Sequence, residues 1–416
     1  MNVMLYYRIE TGGGGPIFDL ISSYPALYDF FRASGKDFYQ RLSRDMFLNV
    51  GIKYKGSSRF WERVELQQVE KLQGQQELFC PQNEHQDLDI IACFQTATPA
   101  SNYYLLHYAP AWDCNHHRNP ILLVPGAGLD ANSFTDLYAM GYDGLQQQLL
   151  ALGYRVFAIT FSHTHGDNFI QAEQIAAAIS RICSVTGKDQ IDLVAYSKGG
   201  SAARIYLSGL SDTPYRGDIR RYIMLGTPNQ GVDFPFRNPL FNYVIYISGS
   251  NGVLAWDKIL SFGTMVEVSQ RSIYRDGAFP GQCQLLYRWD DTYELDMLQQ
   301  DWWTTYYGGS GLISHSRGID QAIADGGNLV ERLDAVGLEP GIDFYVLAGD
   351  NNFFNAFPGD ESGPGDGLVF LESVLYTDGL ARRGANLRDK DIVPVNHLEF
   401  LYSRRVAHWV GSKLEE

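Results

Sequence analysis

Between residues 119 and 231 short apolar runs alternate with longer amphipathic stretches. The run "PILLV" ends in the glycine turn "PGAG", and "DGLQQQLLALG" has helical spacing and closes on Gly153. Then come the apolar "YRVFAITF", a helical stretch from Gln171 to Thr186, the apolar "QIDLVAY", a helix starting beside Ser197, and "RRYIMLGTP". Strands that read as continuous apolar runs are buried on both faces, and helical crossovers between them force a parallel arrangement. The fold class predicted is α/β, with a mostly parallel central sheet and helices on both faces.

The alternation stops after Gly231. Residues 232–340 are rich in Tyr, Trp, Gly and Asp and carry no repeating strand-helix unit, which predicts an insertion. The core pattern resumes with the strand-like "GIDFYVLAG" and ends in an amphipathic helix, "LEFLYSRRVAHWVGSKL". The expected division is therefore an N-terminal accessory segment, 1–85; the first half of the core, 86–231; the insertion, 232–340; and the second half of the core, 341–416. In the front segment Tyr28, Phe31, Phe38 and Tyr39 recur at steps of three and four, so residues 25–76 are expected to be mostly helical. Residues 88–108 read as two strands, "LDIIACFQTA" and "NYYLLHYAP", joined in a hairpin.

Composition narrows the partners. A net charge of -15 argues against nucleic acid, whose phosphates need clustered Lys and Arg, and favours an uncharged or apolar ligand. No run approaches the roughly eighteen apolar residues of a membrane span. The opening "MNVMLYYRIETGGGG" has no basic leader, so the expected location is cytoplasmic, or secreted if the true start is missing. Five scattered cysteines form no zinc or dithiol motif, and a Cys80 bond to Cys93 or Cys114 is open only in a secreted protein. "TGGGGP" lacks the Lys-Ser/Thr ending of a phosphate loop.

Ser197 lies in "AYSKGG", between a strand and a helix. A serine hydroxyl needs a base within hydrogen-bond reach, a carboxylate to orient that base, and donors for the oxyanion. The strand-turn-helix context suits a strained elbow, where Ala195 and Gly199 are small enough not to clash. The turn after "PILLV" supplies one candidate oxyanion donor, Ala127 N–H, and Lys198 N–H is the other. Asp366 in "GPGDGLV" and His397 in "VPVNHLE" follow in the order Ser, Asp, His, both in loops flanked by regular elements. A rival acid, Asp350, ends the predicted strand in "VLAGDNN". His163 and His165 in "SHTHGD" and His116 and His117 beside Cys114 read as polar loops in preference to metal ligands, and His408 as a surface or packing residue. Glu173 and Asp192 read as helix-surface and strand-edge charges.

The elbow "AYSKGG", the downstream "LGTPNQG", "DGLV" and "NHLE" resemble the bacterial lipases of the α/β-hydrolase superfamily and their polyester-cutting (polyhydroxyalkanoate depolymerase-like) relatives. The resemblance spans 119–231 and 341–409. It implies a serine carboxylic ester hydrolase working through an acyl-enzyme, assigns Asp366 and His397 to the triad ahead of Asp350, and requires no cofactor. Two departures are Ala195 at the usual first glycine and "VPG" where "HG" is common. A calcium ion held near the Glu399 position in relatives finds no second ligand here, so no metal site is expected. The insertion would then be a lid, with Gly308, Gly309 and Gly311 as hinge glycines and Trp289, Trp302, Trp303 and Tyr306 facing an apolar substrate. Lipid or polymeric esters are the expected substrates, with a transient lipid-interface contact. The alternatives are acyl transfer on the same triad, or a hydrolase-like protein that binds a lipid or partner without turnover.

Overall fold

The computed structural model describes residues 60–74, 76–136, 141–238, 253–298, 305–354 and 357–416. Along the chain come β1 (Arg63–Gln68), β2 (Tyr103–Tyr108), β3 (Pro120–Val124), β4 (Arg155–Phe161), β5 (Ile191–Tyr196) and β6 (Ile219–Leu225). The insertion contributes β7 (Lys258–Ser261), β8 (Thr264–Glu267), β9 (Gly309–Ser310) and β10 (Ser314–Ser316). After it come β11 (Asp343–Gly349), the ribbon β12 (Phe353–Phe354) and β13 (Phe357–Pro358), and β14 (Asn386–Val393). Among the described residues the main sheet has eight strands in the order β1-β2-β4-β3-β5-β6-β11-β14. All neighbours from β4 to β14 pair in parallel, and only β2 runs against β1 and β4. This is the α/β-hydrolase sheet that the alternation and the resemblance led us to expect.

Side chains leave alternate faces of each strand, and the two faces make two cores. Leu122, Val124, Leu193, Ala195, Tyr222 and Met224 pack with α3 (Asn168–Thr186) and α4 (Lys198–Leu207), the helix labels following α1 (Leu88–Phe94) and α2 (Leu145–Ala151). On the other face Ile121, Leu123, Val194, Ile223 and Leu347 pack with α2 and with the C-terminal helix, Arg404–Glu415. Every residue of β5 is buried, so the strand that ends at Ser197 is held from both sides. At about 1.5–3 kcal/mol for each large apolar side chain buried, this strand is among the most firmly held elements of the fold.

Three expectations are corrected. Arg63–Gln68 is a strand, not helix: it pairs with β2 from Arg63↔Tyr108 to Gln68↔Tyr103, so the central sheet reaches into the segment assigned to the accessory layer. The remainder of the expected helical tract, through residue 59, lies outside the described residues. Leu88–Phe94 is a helix, not the first strand of a hairpin. Asp87 caps it by accepting from Asp89 and Ile90 N–H, Gln95 stops it in the left-handed region at φ 63°, and Ile90 and Phe94 pack on Leu105. β14, in "NLRDKDIV", was not anticipated at all. The five cysteines are free thiols, with Cys80 in the insertion's core beside Phe236, Trp256, Tyr274 and Phe279.

Candidate active site

The turn between β5 and α4 puts Ser197 at φ 52° and ψ -130°, a left-handed backbone that a serine adopts only under constraint. The constraint comes from both sides. Ser197 N–H donates to Leu225 O on β6 at 2.9 Å, and the turn after β3 presses against the serine itself. A Cβ on Gly126 would stand 2.9 Å from Ser197 Cβ and 2.9 Å from the Tyr196 ring, so only glycine fits there.

His397 follows β14 in a short loop. Its N–H donates to Asp366 O at 2.9 Å, and the Tyr196 hydroxyl donates to His397 O at 2.7 Å. Its ring packs against those of Tyr196 and Phe400, with centroids 5.1 and 6.4 Å away. Asp366 Oδ1 accepts from Leu368 N–H at 3.1 Å and Val369 N–H at 2.9 Å, which leaves Oδ2 aimed at His397 Nδ1, 2.7 Å away. His397 Nε2 in turn lies 2.8 Å from Ser197 Oγ. Asp366 and His397 are buried, whereas Ser197 is half-buried and is the member a ligand can reach. The alternative acid, Asp350, is exposed at the end of β11, with its N–H donating to Val393 O at 2.9 Å.

Ala127 lies half-buried in the turn beside Gly126. Lys198 is the first residue of α4, where a backbone N–H has no acceptor inside its own helix. Trp289 and Tyr306 are placed differently from expectation. Both are buried in the insertion, Trp289 Nε1 donating to Gly231 O at 3.3 Å and Tyr306 Oη to Asp233 Oδ2 at 2.7 Å, and in this conformation neither offers a face to a ligand. Trp302 and Trp303 lie outside the described residues. Glu399 Oε2 accepts from Asn396 N–H at 2.7 Å, an intraloop bond.

Two charges read as peripheral are internal. Glu173 is buried and accepts from Thr213 N–H at 2.9 Å and Thr213 Oγ1 at 2.6 Å. Asp192 is buried and takes Arg220 in a two-pronged ion pair at 2.8 and 2.5 Å.

Behind the elbow lies a polar cluster that sequence reasoning missed. The Lys198 side chain is buried and donates to Gln171 Oε1. Glu77 Oε1 accepts from Asp167 N–H at 2.9 Å, and Asp167 Oδ2 accepts from Gln284 at 2.6 Å. His163 Nε2 meets Leu78 O at 3.1 Å while its Nδ1 accepts from His165 N–H at 3.0 Å, which fixes the neutral ring with hydrogen on Nε2. The two loop histidines do not share a ligand position, since His165 Nδ1 faces Gln282 at 2.6 Å.

Burial pulls His85 down to about 4 and His163 down to about 3, and pushes Glu77 up to about 7. In the unfolded chain the histidines bind protons below about 6.5, so stability is lost as pH drops from there toward 3–4. Glu77 acts oppositely: the folded form protonates first, so stability is gained as pH drops from about 7 to about 4.5. Lys198, pulled by burial to about 7, contributes its change above that pH. The opposing windows overlap, and the histidine loss alone continues below. Burial pulls His107 and His165 down as well, and the one proton of Glu77 offsets only one histidine, so the urea midpoint is expected to fall from about pH 6.5 in wild type and more steeply, from about pH 6.5 to about 4.5, in Glu77→Gln. Superimposable profiles would remove Glu77 from this account.

Residues 118–233, from the lead-in to β3 through the turn after β6, match the family model described as Lipase (class 2). Among solved structures the chain is similar to the mature lipase BlEst2 of Bacillus licheniformis, at 16% identity over 75% of this chain and 98% of that one, with a TM-score of 0.41. It is similar also to a soluble variant of monoglyceride lipase from Saccharomyces cerevisiae in complex with a substrate analogue, at 12% identity over 84% and 96%, with a TM-score of 0.40. An esterase from Exiguobacterium antarcticum matches at 14% identity over 75% and 96%, with a TM-score of 0.37.

Proposed function

We propose, from the premise that the chain is a lipase-like carboxylic ester hydrolase of the α/β-hydrolase fold, that it cleaves esters of apolar acids through Ser197, His397 and Asp366. The observation that carries this reading is the His397 ring, 2.8 Å from the alcohol on one side and 2.7 Å from the carboxylate on the other. In the cycle, His397 Nε2 takes the proton as Ser197 Oγ attacks the ester carbon, and Asp366 steadies the imidazolium and keeps hydrogen on Nδ1. The tetrahedral oxyanion is held by Ala127 and Lys198 N–H. His397 then protonates the leaving alcohol, and a water activated by the same ring releases the acid and restores Ser197.

Apolar esters are favoured over anionic ones by the acidic balance of -15 and by the insertion, which carries exposed apolar side chains at Phe262, Met297 and Leu298. Those side chains suit a transient contact with a lipid interface, and the role we assign to the insertion that bears them is that of a lid over the serine.

A fluorophosphonate probe is expected to label one residue, Ser197, read by peptide mass spectrometry, and p-nitrophenyl esters are expected to turn over faster as the acyl chain lengthens from acetate. A label on another residue would overturn the nucleophile, and a preference for acetate would overturn the apolar substrate. Higher rates on a polyester film than on lipid emulsion would redirect the substrate to polymer.

A further inference from the structure

Three separate parts of the chain meet on one side chain. Lys198 begins α4 directly after Ser197, is 1% exposed, and donates to Gln171 on α3. From the insertion, α6 (Pro280–Cys283; α5 is Phe234–Arg237) packs on it: a Cβ on Gly281 would stand 2.0 Å from Gly166 O, 2.2 Å from Lys198 Cε and 2.6 Å from Nζ. The insertion is tied down at this point, with Gly281 N–H donating to His165 O at 3.0 Å and Asn168 Nδ2 donating to Gly281 O at 2.8 Å. The carboxyl groups of Glu77 and Asp167 face the lysine, and His163 and His165 face it from the loop after β4.

A buried ammonium costs several kcal/mol of lost hydration, so a methionine would fill the same space at lower cost if filling were all that was needed. What the lysine adds is a fixed far end. Ser197 sits in a backbone region that costs about 1–3 kcal/mol. That strain is relieved if Lys198 and the start of α4 turn about the elbow, and such a turn carries Lys198 N–H away from the space in front of Ser197 Oγ. A side chain held at its tip opposes this movement, because the Cα of Lys198 cannot turn without pulling Nζ from Gln171 and pushing the stem into Gly281.

We infer that the Lys198 side chain is a positioning residue that holds its own backbone N–H in the oxyanion-binding orientation, clamped between Gln171 of α3 and Gly281 of the insertion. The inference rests on the proposed role of Lys198 N–H. It makes the seating of the insertion a condition of full turnover, not only of substrate access.

The test is ester hydrolysis by the full chain in four variants. Lys198→Met keeps the stem and removes the anchor, Gln171→Leu removes the acceptor, Gln171→Glu keeps an acceptor but loses the Nε2 bond to His163 O at 2.8 Å, and Gly281→Ala crowds the lysine stem together with Gly166 O. Complete loss of one oxyanion donor costs about 10²–10³ in kcat, so a misaligned donor is expected to lower kcat by at least about tenfold, with KM within about twofold. Lys198→Met, Gln171→Leu and Gly281→Ala should all show that loss, with a parallel fall in the fluorophosphonate labelling rate, while Gln171→Glu, which keeps the acceptor for Lys198, should lose less kcat than Gln171→Leu. A purely structural lysine would lower the urea midpoint and leave kcat of the folded fraction unchanged, which overturns the inference, as does a loss carried by KM alone. Should Lys198→Met fail to fold, wild-type kcat in Gln171→Leu or Gly281→Ala overturns it equally. If wild type is not labelled at Ser197, the underlying reading has failed. If it is labelled and Lys198→Met turns over normally, only the clamp has failed.

Discussion

Asp366→Asn is expected to lower kcat by about 10⁴ and Ser197→Ala by about 10⁶, each with KM little changed, whereas Asp350→Asn stays within about twofold of wild type. The size of the Asp366 effect follows from how its two oxygens are held. Oδ1 accepts from Leu368 and Val369 N–H at 3.1 and 2.9 Å, so an asparagine must leave its carbonyl oxygen there and turn its amide nitrogen toward His397 Nδ1. Two donors cannot face each other at the 2.7 Å that now separates Oδ2 from Nδ1, so the ring must carry its hydrogen on Nε2. An Nε2–H cannot take the serine proton, and turnover stops although nothing has moved. Asp350 has no comparable hold, being exposed beyond β11. Steady-state kinetics on a p-nitrophenyl ester decide the matter, with circular dichroism to show that the variants are folded. A large loss in Asp350→Asn with a small one in Asp366→Asn would move the acid to Asp350.

What could be read from the chain follows burial. β3, β4, β5, β6 and β11 are covered on both faces, so their sequences are mainly apolar runs, with the charges of Asp192, Arg220 and Arg221 confined to the starts of β5 and β6. β14 lies at the sheet edge and exposes Asn386, Arg388, Lys390 and Asp391, a polar and charged composition that blocks edge-to-edge pairing and therefore hides the strand. Arg63–Gln68, at the other edge, alternates too weakly to separate from the helical tract expected before it. Leu88–Phe94 misled because Ile90, Ile91 and Cys93 suit a strand. Its helix signal was Asp87 as a cap, and that local bond prevailed. Ser197, Asp366 and His397 could be named as candidates because the elbow and the loops around them have local signatures, and their side chains meet. The Lys198 cluster could not be named, because Glu77, Gln171 and Gly281 are far apart in sequence and only the fold brings them to one side chain. Aromatic composition likewise named Trp289 and Tyr306 as interesting without saying whether they faced outward or into the insertion's own core.

The two glycines after Lys198 are expected to respond to alanine in opposite ways when a second change is added. A Cβ on Gly199 would stand 2.3 Å from Pro125 O and 3.0 Å from Val124 O, main-chain atoms at the end of β3 and in the turn after it. No side-chain change can remove those atoms, so α4 or the turn must shift. Gly199→Ala should cost at least the upper part of the roughly 1–3 kcal/mol of core overpacking and lower kcat by displacing Ser197 from His397. On Gly200 the added carbon meets Thr227 Oγ1 at 2.1 Å and Cγ2 at 2.6 Å, both of them side-chain atoms. Gly200→Ala alone should therefore be damaging, while Gly200→Ala with Thr227→Ala removes the two closest contacts and leaves the Cβ of residue 227 at 2.9 Å, which a shift of a few tenths of an ångström relieves. The double variant is expected to recover most of the lost urea midpoint and activity. Thr227→Ala combined with Gly199→Ala should recover nothing, because Thr227 is not the atom group in the way. Equal rescue of both glycine variants would mean that the damage comes from helix propensity or general loosening, and that α4 is not seated on the β3 turn by the close main-chain approach that sets Ser197 in place.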